Sequence, residues 1–300
     1  MANAADTSTG ADDKTQVVNA AIREISNIAT LPEITLKIIE LVEDPTSTAQ
    51  DLHHIISNDP ALCARILKVV NSSFYGLPGQ IGNINRAIVL LGLNAVKNIA
   101  IAASLAKLFR GGNLTPNFAA RDLWKHSVVT AAASKMVADA IGMGLADEAF
   151  LAGLIHDIGI VVELQARREG LIEVIEKLNL NSDGVPLVDM LEVEQQVLHA
   201  THQDFGMGLC ESWQFPRPLR NVAGYHHRPL ELEPGARTLA CTVYIADRLA
   251  VEVGVGFRGD LPDVSFADEV LAEIGMTRDK LETILQELPE HLDSVMSMFS

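Results

Sequence analysis

Apolar residues recur at spacings of three and four along most of the chain, which is the period of helices that bury one face. A clear early case is the segment that opens with Asp59 and Pro60, which suit an N-cap and a first helical turn. Its apolar residues follow this period: Leu62, Ile66, Leu67 and Val70. We find no convincing alternation typical of strands, so the pattern predicts an all-α fold.

The same period, with Gly, Pro, Asn or Asp between the segments, predicts a long series of helices. The first ones lie at 19–28 and 33–42, around Leu52 and Ile55, and from Pro60 to about Val70. The later ones are predicted at 84–91, 93–109, 118–141, 147–165, 171–180, 186–198, 202–213, 216–226, 237–253, 265–274 and 277–299.

The helices group into two packed subdomains on either side of a stretch rich in glycine and ending in proline, 111–116. The first subdomain is predicted to span residues 16–110 and the second residues 117–255. Residues 1–15 are polar and without periodicity, which predicts a disordered N-terminus. Residues 262–300 form a helical C-terminal appendage, whose apolar face fits packing on the same chain or an oligomer contact such as a homodimer; we favour packing.

Composition narrows the class of protein. Apolar residues make up 48% of the chain but aromatic residues only 5%, so the core consists mainly of aliphatic side chains. The formal net charge of −16 repels phosphate backbones and argues against general nucleic-acid binding. The three cysteines form no CxxC pair, which argues against a disulfide framework. The polar N-terminus lacks the apolar core of a signal peptide, and polar residues interrupt the apolar stretch 84–109, so we expect a cytoplasmic protein without a membrane partner.

Histidines and aspartates recur together in the second half of the chain. Asp122 and His126 are four residues apart and share one face of a predicted helix. His156 and Asp157 are adjacent among strongly apolar neighbours, so both are expected to be buried. A buried charge needs a partner, and a metal ion is one way to supply it.

Further candidates follow along the chain: His202, His226, His227 and Asp247. Each alone is more often structural, but together these imidazoles and carboxylates suit a divalent ion such as iron, manganese, nickel or zinc. Two such ions could activate a water for attack on a phosphoester. A hydrogen-bonded polar network between helices, without metal, is the alternative.

Several motifs in order give the chain a resemblance to the HDOD domain family over about residues 25 to 250. They include LPE at 31–33, SNDPAL at 57–62, VNSSFYG at 70–76, LWKHS at 123–127, GLIHDIG at 153–159 and the histidine pair at 226–227. The second half of an HDOD domain is similar to HD and HD-GYP phosphohydrolases. The resemblance implies two helical subdomains, of which the second is HD-domain-like, in a bacterial signal-transduction module.

The similarity to HD-GYP enzymes also implies a metal-ligand set, in which Asp157 is the candidate catalytic residue. Its eight positions are Asp122, His126, His156, Asp157, His202, His226, His227 and Asp247. Two departures argue against catalysis. Ile160 stands where those enzymes carry a phosphate-binding lysine, and the GYP loop is missing after the histidine pair. Arg228 is a candidate phosphate contact.

The expected function is therefore a regulatory module that acts through contacts with signalling proteins, without catalysis and with metal binding left open. One alternative is a metal-dependent phosphohydrolase or phosphodiesterase whose ligand is a nucleotide or a cyclic dinucleotide. Another is a metal or redox sensor that uses a pair of iron ions.

Overall fold

The computed structural model describes residues 7–28, 32–109, 112–182 and 184–298, and within them the fold is all-α, as predicted. The helices are α1 (Thr7–Ile28), α2 (Glu33–Glu43), α3 (Ala49–Ser57), α4 (Pro60–Val70), α5 (Ile84–Leu91), α6 (Leu93–Leu105), α7 (Ala120–Ala140), α8 (Ala146–Ile155), α9 (Ile158–Ala166), α10 (Arg168–Lys177), α11 (Met190–Leu198), α12 (His202–Ser212), α13 (Arg217–Tyr225), α14 (Thr238–Glu252), α15 (Asp268–Ile274) and α16 (Arg278–Met298). Two 3-10 turns, Pro229–Glu231 and Pro234–Ala236, and a short antiparallel hairpin, β1 (Asn113–Thr115) with β2 (Phe118–Ala119), complete the described elements.

Helices α2, α4 and α5 pack on α6, which is buried from Ala95 to Leu105, and α3 packs on those three helices. Local capping sets where two of these helices begin. Thr48 and Asp51 form a capping box at α3, and the Asp59 carboxylate accepts the backbone N–H of Leu62 at α4. Helix α6 also packs against α8, so it connects this group with the second group of helices.

The second group is built on two close helix pairs, α7 with α8 and α9 with α12. Glycines make both approaches possible. A Cβ on Gly153 would lie 2.7 Å from the carbonyl oxygen of Thr130 on α7. A Cβ on Gly159 would overlap the carbonyl of His202 and lie 2.8 Å from the amide nitrogen of Gly206 on α12. Contacts this short exclude any side chain, so the two glycines set the spacing of the elements that carry the candidate ligands.

Substituting Gly159 by alanine is therefore expected to lower the free energy of unfolding by about 1–3 kcal/mol, since α9 and α12 must move apart. Gly235→Ala is the matched control, because a Cβ there meets no atom within 4 Å. Thermal or urea denaturation followed by circular dichroism measures both. Equal stability of the two variants would show that the α9–α12 contact is not rigid.

Helix α1 differs from its prediction. It begins at Thr7, within the segment predicted to be disordered, while residues 1–6 lie outside the described residues. It packs on α9 and α12, and therefore on the second group of helices, although the sequence assigns residues 16–28 to the first. The reason is its apolar face, in which Val18 and Ile25 are buried. Lys14 adds an ion pair with Asp204, 3.2 Å away.

Two other helices also differ. The predicted helix 147–165 is two helices, α8 and α9, because the backbone turns at Asp157, which has φ −93° and ψ 18°. Helix α11 begins at Met190 rather than at residue 186, because Asp189 caps it there. The run Ala146–Ala166 has the length and hydropathy of a membrane-crossing helix, but its apolar stretch is 94% buried inside the fold. It is the core of this protein.

The C-terminal helices cover the second group from outside. Helix α15 packs on α14, and α16 lies along α7 and also touches α4. The backbone N–H of Phe74 donates to Ser294 Oγ on α16 at 3.2 Å. The apolar face of the appendage thus packs on its own chain, which is the interpretation that the sequence favours.

Candidate metal centre

Seven of the eight ligands implied by the sequence lie together in one buried cluster, and an eighth member, Asp260, joins them. We call these residues the histidine–aspartate cluster: His126, His156, Asp157, His202, His226, His227, Asp247 and Asp260. They come from α7, the α8–α9 junction, the first residue of α12, the end of α13, α14 and the loop after α14. Each of them contributes a ligand atom that lies within 4.8 Å of two or more others.

The carboxylate of Asp157 lies between two groups of imidazoles. Its Oδ2 is 3.2 Å from His156 Nε2 and 3.7 Å from His126 Nε2. Its Oδ1 is 3.3 Å from His226 Nε2 and 3.8 Å from His202 Nε2. The two oxygens therefore face opposite halves of the cluster, which is the arrangement of a carboxylate that could bridge two ions.

Each half brings nitrogen atoms close to one another. In the first half His126 Nε2 is 3.2 Å from His156 Nε2 and 3.1 Å from Asp247 Oδ1. In the second half His202 Nε2 is 3.1 Å from His227 Nε2. Two imidazole nitrogens this close need a proton or a cation between them, since two lone pairs repel each other.

Three imidazoles are oriented by acceptors on their outer side. His156 Nδ1 lies 2.7 Å from the carbonyl oxygen of Gly153, and His226 Nδ1 lies 3.1 Å from that of Val222. His202 Nδ1 lies 2.9 Å from a carboxylate oxygen of Glu194. A carbonyl or carboxylate can only accept, so each Nδ1 carries a proton, and Nε2 is the atom that faces the cluster and could ligate a metal.

The carboxylates of the cluster lack donors. Both oxygens of Asp157, Asp247 and Asp260 are buried without a hydrogen-bond partner among the described residues. Unsatisfied buried acceptors with negative charge are costly, and a divalent cation would satisfy all of them. This donor set of nitrogen and oxygen atoms fits iron, manganese, nickel or zinc.

The charges inside the cluster shift its pKa values strongly. Burial lowers the pKa of His126, but the carboxylate of Asp247, 3.1 Å from its Nε2, outweighs this effect and raises the pKa to about 9. Burial likewise lowers the pKa of His202, and the carboxylate of Glu194 raises it to about 10. Burial lowers the pKa of His226 to about 4. Burial and the charges of Asp247 and Asp157 raise the pKa of Asp260 to about 7.

Asp122 does not lie where the sequence places it. Its carboxylate is 2.9 Å from Lys125 Nζ on the same helix, and its side chain is 37% exposed. It is absent from the groups of possible ligands among the described residues, and Asp260 stands in the cluster instead. The i,i+3 lysine accounts for this orientation, since it turns the carboxylate along the surface of α7.

Two glutamates behind the cluster were not among the functional candidates predicted from the sequence. Glu194 accepts the backbone N–H of His202 at 2.8 Å as well as its ring N–H. Glu163 is fully buried, and burial together with the charge of Glu194 raises its pKa well above the ordinary value. The protonated form of Glu163 is thus favoured beside the carboxylate of Glu194. A glutamate within an otherwise apolar helix is the feature of the sequence that could have identified Glu163 as a candidate.

The cluster is closed to solvent. Every cluster side chain has no exposed surface, except that of His227, which is 8% exposed. The guanidinium of Arg228 is half exposed and contacts Gln203 Oε1 at 3.2 Å and Glu231 at 3.5 Å. A cleft of about 400 Å³ lies outside the loop after α14, but of the predicted ligands only Asp122 lines it.

Comparison with known proteins adds a family. The model of the HDOD domain matches residues 28–229. An uncharacterized protein of Treponema pallidum (strain Nichols) is 25% identical over 235 residues, which are 76% of this chain and 44% of that protein. The chain thus spans less than half the length of the curated relative that it matches.

Solved structures share the fold. An HDOD domain protein of unknown function from Geobacter sulfurreducens has a TM-score of 0.76 at 22% identity, over 95% of this chain and 96% of that one. A candidate signal transduction protein from Marinobacter aquaeolei VT8 has a TM-score of 0.75 at 23% identity, over 98% and 66%. A candidate phosphohydrolase from Shewanella amazonensis SB2B has a TM-score of 0.70 at 22% identity, over 93% and 97%.

Proposed function

The chain belongs to the HDOD domain family, and on that premise we propose that it is a cytoplasmic bacterial signalling module that holds two divalent metal ions without hydrolysing a phosphoester. In this proposal it acts through contacts with other signalling proteins. The relative from Marinobacter, described as a candidate signal transduction protein, supports this direction.

One observation carries the metal centre: the imidazole rings of a buried cluster lie against carboxylate oxygens that have no hydrogen-bond partner among the described residues. His126, His156 and Asp247 would hold one ion. The second would be held by His202, His226 and His227, with Asp157 between the two. When bound, such ions supply Lewis acidity and lower the pKa of a coordinated water. The chain's own residues orient the ligands and exclude bulk water.

The closed surroundings favour a regulatory over a catalytic centre. A catalytic metal site keeps a position open for water or substrate, whereas the cluster side chains are buried. Ile160, at the position where the similar enzymes carry a phosphate-binding lysine, has no exposed surface and lies in the core. Arg228, the candidate phosphate contact, is half exposed and contacts Gln203 and Glu231.

The test is metal analysis by mass spectrometry of protein purified without chelators, together with a turnover assay. We expect about two ions per chain and no hydrolysis of a broad panel of nucleotides and cyclic dinucleotides. Turnover by the metal-loaded protein would contradict the non-catalytic part. Absence of metal after reconstitution of a folded protein would contradict the metal centre.

A second function, metal-dependent phosphohydrolase, has a specific observation in its favour. The cluster supplies ligands for two ions, and the relative from Shewanella is described as a candidate phosphohydrolase. The same turnover assay decides between the two functions. Hydrolysis that requires the metal and is lost with Asp157→Ala would establish the enzyme.

A further inference from the structure

The loop between α14 and α15 returns across α7 and covers the histidine–aspartate cluster. At Gly256, which has φ +92°, the backbone lies directly on α7. A Cβ there would lie 2.5 Å from the amide nitrogen of His126 and 2.6 Å from the carbonyl oxygen of Asp122. Both the positive φ and the lack of space require glycine, so the loop is fitted closely to the helix that supplies His126.

The next residue anchors this loop. The backbone N–H of Phe257 donates to the carbonyl oxygen of Asp122 at 3.0 Å. Its ring packs edge to face on Phe118 of the hairpin, with ring centres 5.1 Å apart. The loop is thus attached to two separate elements before it reaches Asp260.

Asp260 points inward from this anchored loop. Its side chain has no exposed surface, and its Oδ2 is 3.9 Å from His227 Nε2. Its carboxylate oxygens form one possible ligand group with His126 and Asp157 and a second with His227 and Asp247, so Asp260 lies near both halves of the cluster. Within the described part of the chain, neither carboxylate oxygen has a hydrogen-bond partner. Three carboxylates buried side by side are unfavourable unless protons or a cation neutralise them, and the imidazoles around them suit a cation.

We propose that Asp260 is a metal ligand delivered by the α14–α15 loop, and that this loop closes the metal centre to solutes. The inference rests on the proposed metal centre and adds the residue that controls access to it. Asp122, the ligand implied by the resemblance, instead accepts the backbone hydrogen bond of Phe257 that anchors the loop. A phosphoester or a chelator reaches the centre only when the loop lifts away.

The first test compares Asp260→Asn with Asp122→Asn, using zinc or manganese titrated into metal-free protein. Asp260→Asn is expected to weaken binding of at least one ion by about tenfold or more. Asp122→Asn should stay within about twofold of the wild type, since it loses only a half-exposed ion pair. Affinity is read by competition with a metal indicator and by the metal-induced shift in melting temperature, which do not depend on activity.

The second test measures how fast EDTA extracts the metal. Gly256→Ala forces the loop off α7, so extraction should accelerate on the order of tenfold. Gly254→Ala is the matched control, since it has φ +73° in the same loop but no atom within 4 Å of a Cβ. Phe257→Ala, which removes the ring contact with Phe118, replaces Gly256→Ala if that variant fails to fold.

The outcomes separate this inference from the proposed function. If the wild type binds no metal, the metal centre itself is wrong. If the wild type binds metal and Asp260→Asn binds it equally well, Asp260 is not a ligand although the centre stands. Loss of binding in Asp122→Asn rather than in Asp260→Asn would support the ligand set implied by the resemblance. Equal extraction rates for the Gly256 and Gly254 variants would overturn the closing role.

Discussion

Replacing Asp157 by alanine is expected to remove both metal ions, whereas replacing Asp247 removes only one. The reason is geometric. The two oxygens of Asp157 face different halves of the cluster, at 3.2 Å from His156 and 3.3 Å from His226. Asp247 has its close imidazole contacts in the first half, with His126 and His156.

Mass spectrometry of the purified and reconstituted proteins measures this. About two ions per chain are expected for the wild type, none for Asp157→Ala and one for Asp247→Ala. Circular dichroism has to show that each variant is folded, since removal of one member of a buried charged pair can cost about 3–5 kcal/mol. Asp157→Asn keeps the shape of the side chain and serves as the second variant. Two ions in a folded Asp157→Ala protein would show that Asp157 does not bridge the halves.

The sequence predicts the helical class well because the period of apolar residues is local information. Where a cap is also local, the start of the helix follows, as at Asp59 and Pro60. The break between α8 and α9 could not be predicted in this way, because the flanks of His156 and Asp157 remain apolar on both sides. Whether such a run is one helix or two depends on packing against α7 and α12.

The same limit applies to the site. His156 and Asp157 stand out because polar residues among apolar neighbours are visible in the sequence, and His226 and His227 stand out as adjacent histidines. The family resemblance is what joins them into one ligand set. Asp260 lies in a loop rich in glycine, Gly254-Val255-Gly256-Phe257-Arg258-Gly259, where an aspartate is ordinary. Only the return of the loop across α7 makes it a candidate ligand. Asp122 is the opposite case. Its spacing from His126 suits a shared ligand site, but its carboxylate pairs with Lys125 outside the cluster.

Behind the cluster, Glu163 and Glu194 are a buried acidic pair with a consequence for stability. Glu194 is engaged as an acceptor of both N–H groups of His202. Glu163 has no donor of its own among the described residues. Burial and the charge of Glu194 therefore raise the pKa of Glu163 well above its ordinary 4.5. The folded protein holds a proton here that the unfolded chain releases once the pH exceeds about 4.5.

Glu163→Gln is accordingly expected to stabilise the protein, and increasingly so as the pH rises. A group whose pKa is raised in the folded state stabilises the fold fully at pH values below its unfolded-state pKa. This stabilisation is lost as the pH rises toward its folded-state pKa. The glutamine keeps a donor toward Glu194 and does not titrate. The gain in free energy of unfolding should therefore be small close to pH 4.5, grow by at most about 1.4 kcal/mol per pH unit above it, and level off once the pH passes the folded-state pKa of Glu163.

Urea denaturation of the wild type and the variant at a series of pH values measures this gain, because other titrating groups cancel in the difference. Glu176→Gln, on the exposed side of α10, is the matched control and should show no such slope. A gain that stays constant with pH would mean that Glu163 is ionised in the folded state. In that case the charged ring of His202, which lowers the pKa of Glu163, would have to balance both carboxylates.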